Sequence, residues 1–412
     1  MNVSAIEIKA SNRNILSKVA VSVLPLLLLC QPQTALAAAA ADARFQQFIT
    51  DLCQGGIITQ PPGVVWDMNT LTILCANAQS GFAGQPGATV SANLGAANAG
   101  SGAGSRNKVL RQRLDEEEQK DKPTKKGASA DGGGWGLLVA PQYGKSKRIE
   151  TDLENGFDSD LKGLALGLDY RFSDRFVLGA MVGHIQDKAT FLGGAGYLKT
   201  SNNTLTVYST WLPTGSVAID GYLGYGKNKL NSQRNVVFGT SISGTVSGNT
   251  TGQQMMGGLS VSYNKDIGRV SFSPFINVDS IKTTFDGFNE TGTTLLELHF
   301  SDRKSLSTTS SMGARASTSH GYGWGSLSPS VRLAAVHEFQ NNAAQINNEL
   351  VLTPGAGFLV ATDAPDRNYL SAGLGLAAGL NGGTQMFLNY EARVKDVLLK
   401  SWAVSAGVLV EY

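Results

Sequence analysis

Four histidines (His184, His299, His320, His337) and three cysteines (Cys30, Cys53, Cys75) are the residues of this 412-residue chain best suited to metal or nucleophilic chemistry. Their spacing argues against both. No histidine stands at metal-ligand spacing from a cysteine or another histidine. His337-Glu338 falls at the end of a strand-like stretch, where an interfacial or structural role fits better than catalysis. His299 and Asp302 offer a fragment of a Ser/His/Asp site, but neighbouring polar loop residues are usually just solvated, and a hydrolase needs the full set beside a cleft. Gly193-Gly194-Ala195-Gly196 resembles a phosphate loop, yet no strand-to-helix unit follows it. The expectation is a protein that is not an enzyme and has no catalytic, cofactor or metal site.

The cysteines point to oxidation instead. Lys9, Arg13 and Lys18 precede a short apolar run from Val19 to Cys30, broken by Pro25, and Ala35-Leu36-Ala37 is a small-residue cleavage pattern. This reads as a secretory signal over 1–37, too short to span a bilayer. Leu29 before Cys30 disfavours a lipoprotein site. Cys53 and Cys75 then enter an oxidising compartment, where a disulfide is expected. It closes a loop worth about 3 kcal/mol by chain entropy. Two separate thiols is the alternative.

Around these residues the chain falls into zones. Residues 42–80 hold a few apolar side chains (Phe45, Phe48, Ile58, Trp66), enough for a small stapled element but not for an independent core. Residues 81–105 are Gly, Ala, Ser, Asn and Gln, a linker composition. With the preceding residues they make an expected exported segment, 42–105. Residues 106–126 are abruptly charged. Arg106, Lys108, Arg111 and Arg113 precede Asp115, Glu116, Glu117 and Glu118, and Pro123 ends the run. A helix with that charge order opposes its own dipole and is weak alone in water. A solvated charged linker is the other reading.

From about 130 to 412 the period becomes two. Leu164, Leu166, Leu168, Tyr170 and Phe172 oppose Ala165, Gly167, Asp169 and Arg171. Val270, Phe272, Ile276 and Val278 oppose Ser271, Ser273, Asn277 and Asp279. Val331 and Leu333 oppose Arg332, Phe339 opposes Glu338, and Met386, Leu388 and Tyr390 oppose Glu391 and Arg393. A sandwich would bury the apolar face against a second sheet. A membrane barrel turns it to lipid and its polar face inward, and the export signal favours that choice. Twelve strands are predicted, near 135–147, 161–172, 176–188, 200–212, 216–227, 253–264, 269–284, 305–317, 324–340, 368–380, 384–395 and 400–412. Tight turns at 173–174, 213–215, 266–268 and 381–383 alternate with longer loops near 148–160, 189–199, 228–252, 285–304 and 341–367. The composition agrees. Only 16% of residues are charged, against about 25% in soluble domains. There are 49 glycines, where roughly 29 would be usual. A net charge of +2 gives no footprint for nucleic acid.

On these residues the segment 130–412 resembles the β-domain of autotransporters, the type V secretion proteins of Gram-negative bacteria. The most specific pieces are Phe288-Asn-Glu-Thr-Gly, Met312-Gly-Ala-Arg315, Leu327-Ser-Pro-Ser-Val-Arg-Leu, His337-Glu-Phe339, Asn389-Tyr-Glu391 and the closing Ser405-Ala-Gly-Val-Leu-Val-Glu-Tyr412. The resemblance implies an all-β, twelve-stranded antiparallel transmembrane barrel in the outer membrane, monomeric and inserted by the barrel-assembly machinery. It implies that the 106–126 helix lies in the lumen, with Arg106, Lys108, Arg111, Arg113, Glu116 and Glu117 as a plug. Asp169, Arg171, Asp279, Arg332, Glu338, Glu391 and Arg393 would be its lumenal contacts. Val404, Val408, Val410 and Tyr412 would form the terminal assembly signal. About 15 helical residues span roughly 22 Å, close to the 25 Å apolar band of such barrels. The passenger is unusually short, and with only Asn107 in the helix, self-cleavage between two asparagines is not expected. The expected function is anchorage and exposure of the chain's own N-terminal segment. A pore, or an adhesin meeting a host or neighbouring cell through the long loops, is the alternative.

Overall fold

The computed structural model describes residues 39–54, 58–79, 134–238, 242–340, 342–343 and 345–411. Twelve antiparallel strands close into one barrel: β1 Gly134–Arg148, β2 Phe157–Ser173, β3 Phe176–Phe191, β4 Gly196–Thr214, β5 Val217–Phe238, β6 Ile242–Tyr263, β7 Val270–Phe285, β8 Arg303–Thr318, β9 Gly325–Glu338, β10 Asn368–Leu380, β11 Thr384–Val394 and β12 Leu399–Glu411. Each pairs with the next. β12 returns to β1 in the register Leu137↔Val410, Leu138↔Leu409, Tyr143↔Val404. Closure gives each of the twelve strands a partner on both sides, the condition for sheet backbone to lie in hydrocarbon.

The pleat sorts the side chains. Leu164, Leu166, Leu168, Val182, Leu205, Leu223, Leu259, Ile276, Leu333, Leu374 and Leu388 all point outward and are exposed. Aromatic rings collect at the end of the short turns. Trp135 meets Tyr170 at 5.0 Å, Tyr170 meets Phe172 at 4.9 Å, and Tyr322 stacks on Trp324 at 5.3 Å. An apolar outer band edged by aromatics is the surface a barrel offers to lipid. Inside, polar side chains alternate with it, and one apolar cluster (Leu138, Met181, Tyr208, Tyr222, Phe387, Leu409) fills part of the lumen. Leu409, on the polar face of β12, belongs to it and is fully buried. Glycine makes room for its rings: a Cβ on Gly179 would come within 2.5 Å of Tyr208.

The strands run farther than the sequence pattern indicates. The predicted loops at 189–199 and 228–252 are largely paired strand, and β5 and β6 reach 22 residues each, where about 9–11 suffice to cross a bilayer. Beyond the apolar band the outward face no longer alternates in polarity, so the period fades while the pairing continues. The predicted loops at 285–304 and 341–367 carry a second, four-stranded sheet, ordered Gly357–Ala361, Gln345–Leu350, Leu298–Phe300 and Phe288–Asn289.

Among the described residues, two helices precede the barrel, α1 Ala39–Cys53 and α2 Met68–Gln79. On α1, Phe45, Phe48, Ile49 and Leu52 recur at i, i+3, i+4 and i+7 and are buried. Asp67 caps α2, accepting hydrogen bonds from the Asn69 and Thr70 amides at 3.1 and 3.2 Å and from the Thr70 hydroxyl at 2.6 Å. The Thr70 bonds hold the Asp67 carboxyl below its ordinary range. Cys53 and Cys75 are disulfide-bonded, with their Cα atoms 5.3 Å apart.

Candidate functional site

The functional geometry has two parts, a charged lumen and a cap over one end. Strand alternation directs all seven expected lumen residues inward. Tyr208 donates to Asp169 at 2.7 Å and Tyr222 to Asp279 at 2.8 Å. Arg171 stands on the same face as Asp169, at the turn end. On the opposite wall the Arg332 guanidinium lies 4.3 Å from the Phe275 ring and 3.9 Å from Glu391. Ser371 donates to Glu391 at 2.5 Å, and Ser307 to Glu338 at 2.5 Å. Arg393 bonds Asp396 at 2.8 Å and lies 3.9 Å from the Tyr369 ring.

The two walls differ. Between β2 and β7 the inward side chains mostly satisfy each other. Asn202 bonds Asn228 and Gln254, Gln254 bonds Thr283, and Thr210 bonds Asp220. Along β8–β12 a cavity of about 1020 Å³ is bordered by arginines and carboxylates, including Arg315, Arg332 and Glu338. The predicted plug residues Arg106, Lys108, Arg111, Arg113, Glu116 and Glu117 lie outside the described residues, as does Tyr412. Val404, Val408 and Val410 sit on β12 opposite Tyr143, Val139 and Leu137.

The cap covers the end away from the short turns. Neither the stapled helices nor the loops have a core of their own, and they share one. Phe45 and Phe48 pack on Phe358 with ring centroids 5.3 and 5.1 Å apart. Trp66 donates its indole N–H to the Pro354 carbonyl at 3.1 Å. Leu71 and Leu74 join Leu298, Phe300, Leu350, Val360 and the β5–β6 residues Val236 and Val246 in the same cluster. Beneath it lies a fully buried ion pair. Arg234 donates through Nε to Glu290 at 3.1 Å and through Nη2 to the Leu296 carbonyl at 2.8 Å, while Glu290 also accepts from the Leu298 amide at 3.0 Å. Sequence reasoning missed this half of the site. Its signals were the α1 stripe, in a stretch read only as a small stapled element, and the runs Leu296-Glu-Leu298-His-Phe300 and Phe358-Leu-Val360, in stretches read as loop.

His299 and Asp302 each have a different partner. His299 Nδ1 contacts the Asn289 side chain at 2.6 Å, while Asp302 accepts from the Gly287 amide at 2.7 Å. His337 contacts Asn368 at 2.8 Å and the Phe339 ring edge, on the outer face. Among the described residues no group of three or more His, Cys, Asp or Glu could hold a metal ion.

Residues 137–391 match the family model for the autotransporter β-domain. The chain belongs to that family. The autotransporter barrel is similar in fold to the translocator domain of the autotransporter NalP from Neisseria meningitidis. That match has 15% identity and a TM-score of 0.60, over 78% of this chain and 99% of the other. It also resembles the β-domain of the Bordetella autotransporter BrkA, at 20% identity and a TM-score of 0.51, over 68% and 99%. Among curated proteins, Lipase 1 of Photorhabdus luminescens is 24% identical over 252 residues, 60% of this chain. The match spans 37% of the lipase's length, a little over a third. An autotransporter barrel of this kind is an outer-membrane protein.

Proposed function

We propose that the barrel anchors its own N-terminal segment and holds it, as a disulfide-stapled cap, on the cell surface, without enzymatic activity. One topological observation carries this reading. α1 and α2 are packed into the long-loop end of the barrel. β1 starts at the opposite end, where Gly134 faces Arg171 beside the Ser173–Phe176 turn. Gln79, at the end of α2, and Gly134, at the start of β1, therefore belong to opposite ends of the barrel. A run as charged as Arg106 to Lys122 is costly in hydrocarbon. A lumen bearing Arg332, Glu338, Glu391 and Arg393 offers it partners, so the path of this reading is through the barrel. Short turns face the periplasm in outer-membrane barrels, which supports a cap on the outer side.

A protease-cleavable tag inserted near Ser80 tests it. Added protease should cut the tag on intact cells. A tag protected in intact cells and cut only after outer-membrane permeabilisation would overturn surface display and favour a pore with a periplasmic appendage.

A further inference from the structure

We infer that the outer face of β3–β5 binds the phosphate groups of an outer-leaflet glycolipid through Lys188, Lys199, Lys227 and Lys229. The argument begins with a conflict in the sheet. Lys188 and Lys199 stand directly opposite each other across β3 and β4. Like charges in that position destabilise a sheet. Lys229 faces Ser201 on the next strand and Lys227 faces Asn203, so both amines join the same patch. All four point outward and are exposed, because their chain neighbours Asp187, Thr200 and Asn228 point into the lumen and are buried. The Lys188 amine lies 4.8 Å over the Tyr197 ring, which directs it along the surface.

Little negative charge offsets them. Asp160 faces Lys188 from β2, but it already bonds Lys145 at 3.2 Å. The remaining outward residues of β3–β5 at this height, among them Gln186, Ser201, Asn203 and Asn231, are uncharged. On β9–β11 the corresponding positions are Ala335, His337, Leu370, Ala392 and Val394, with the single Lys395 beside them past the end of β11. The run of four is thus specific to β3–β5, although exposed lysines also stand on β1, β2, β7, β8 and β12, among them the opposed pair Lys147 and Lys400.

Height selects the ligand. On β5 Lys227 is the next outward residue above Tyr225, while on β3 and β4 two polar outward residues separate Val182 from Lys188 and Leu205 from Lys199. A molecule with acyl chains against the apolar band and phosphates at its upper edge meets both surfaces. It also screens the Lys188–Lys199 repulsion. A lysine near an anionic lipid surface contributes about 1 kcal/mol. The inference rests on the barrel alone and is independent of where residues 80–133 run.

The test uses full-length protein, delipidated in uncharged detergent. It is titrated at low salt with a bis-phosphorylated, acylated glucosamine disaccharide, its dephosphorylated form, and inorganic phosphate. The triple variant Lys188→Gln, Lys199→Gln, Lys229→Gln should bind the phosphorylated lipid on the order of 100-fold more weakly. Lys282→Gln with Lys304→Gln, on β7 and β8, should leave affinity within about threefold. Dephosphorylated lipid should bind wild type no better than it binds the triple variant. Lys199→Gln alone gives a second readout: relieving the opposed pair should raise the thermal midpoint in lipid-free detergent while lowering lipid affinity. Unchanged affinity in the triple variant, equal binding of the dephosphorylated lipid, or inorganic phosphate binding as tightly as the lipid would each overturn the assignment.

Discussion

Arg234 and Glu290 show how single residues hold the cap. Both are fully buried, so removing one strands the other in a low-dielectric site, at about 3–5 kcal/mol. Glu290→Gln should make the 286–302 segment proteolysed in folded protein, while Arg234→Met with Glu290→Leu together should be milder than either alone. Hydrogen exchange at the Leu298 and Phe300 amides is the direct measurement. A second pair sits in the loops near the β11–β12 connection. Burial and a hydrogen bond shared with Asp366 push the Asp396 carboxyl above its ordinary range, with Arg393 pulling the other way. Burial also pushes Asp366 up, but bonds from Asp396 and the Val397 and Leu398 amides outweigh it, and its pKa falls. Stability from Asp396 is complete below its unfolded pKa and is lost as pH rises through the folded one. Stability from Asp366 is present above its unfolded pKa and is lost as pH falls through the folded one. The contact is therefore strongest in the acidic window where Asp396 alone holds the proton. Asp396→Asn fixes the protonated form, so unfolding temperature in detergent should lose its decline on the alkaline side of that window; an unchanged pH profile would refute the shared proton.

At the scale of elements, α1 and α2 form a hairpin that cannot stand alone. Its staple joins residues 22 apart in sequence, worth about 3 kcal/mol, and its buried stripe packs on Phe358 of the loop sheet. Cys53→Ser with Cys75→Ser should expose residues 39–79 to protease. The barrel should keep its compact, heat-modifiable gel mobility, because β1–β12 make no use of the disulfide. Loss of both together would mean that cap and barrel fold as one unit. Phe358→Ala, which removes the ring both phenylalanines contact, should give a similar cap-specific loss of about 3–5 kcal/mol.

For the whole molecule, closure is the decisive event. The last residues of β12 pair Val408, Leu409, Val410 and Glu411 with Val139, Leu138, Leu137 and Gly136. Without them two edges meet lipid with unsatisfied backbone groups, at several kcal/mol each. A chain ending at Gly407 should fail to reach the outer membrane and be degraded in the periplasm. Normal outer-membrane levels with heat-modifiable mobility would contradict the closure argument. Deleting 106–122 tests the lumen from the other side. Single-channel conductance should rise and thermal stability fall if that run passes through the barrel. Unchanged conductance would place it elsewhere.

The sequence by itself determined the barrel. Period-two alternation, an even strand count and tight turns at one end are local properties, and lipid makes them legible because it demands a nearly pure apolar outer face. The same pattern set which way Asp169, Asp279, Arg332 and Glu391 point, and the two cysteines announced their bond. Only the tertiary structure decided what lies above the membrane. There no lipid enforces a pattern, so β5 and β6 continue through Asn, Ser, Thr and Gly without a readable period. The core of the cap is also assembled from pieces far apart in the chain: Phe45 and Phe48, Val236, Phe300, and Phe358. None of these stretches holds enough apolar surface to bury itself, and the partners that complete it lie tens to hundreds of residues away.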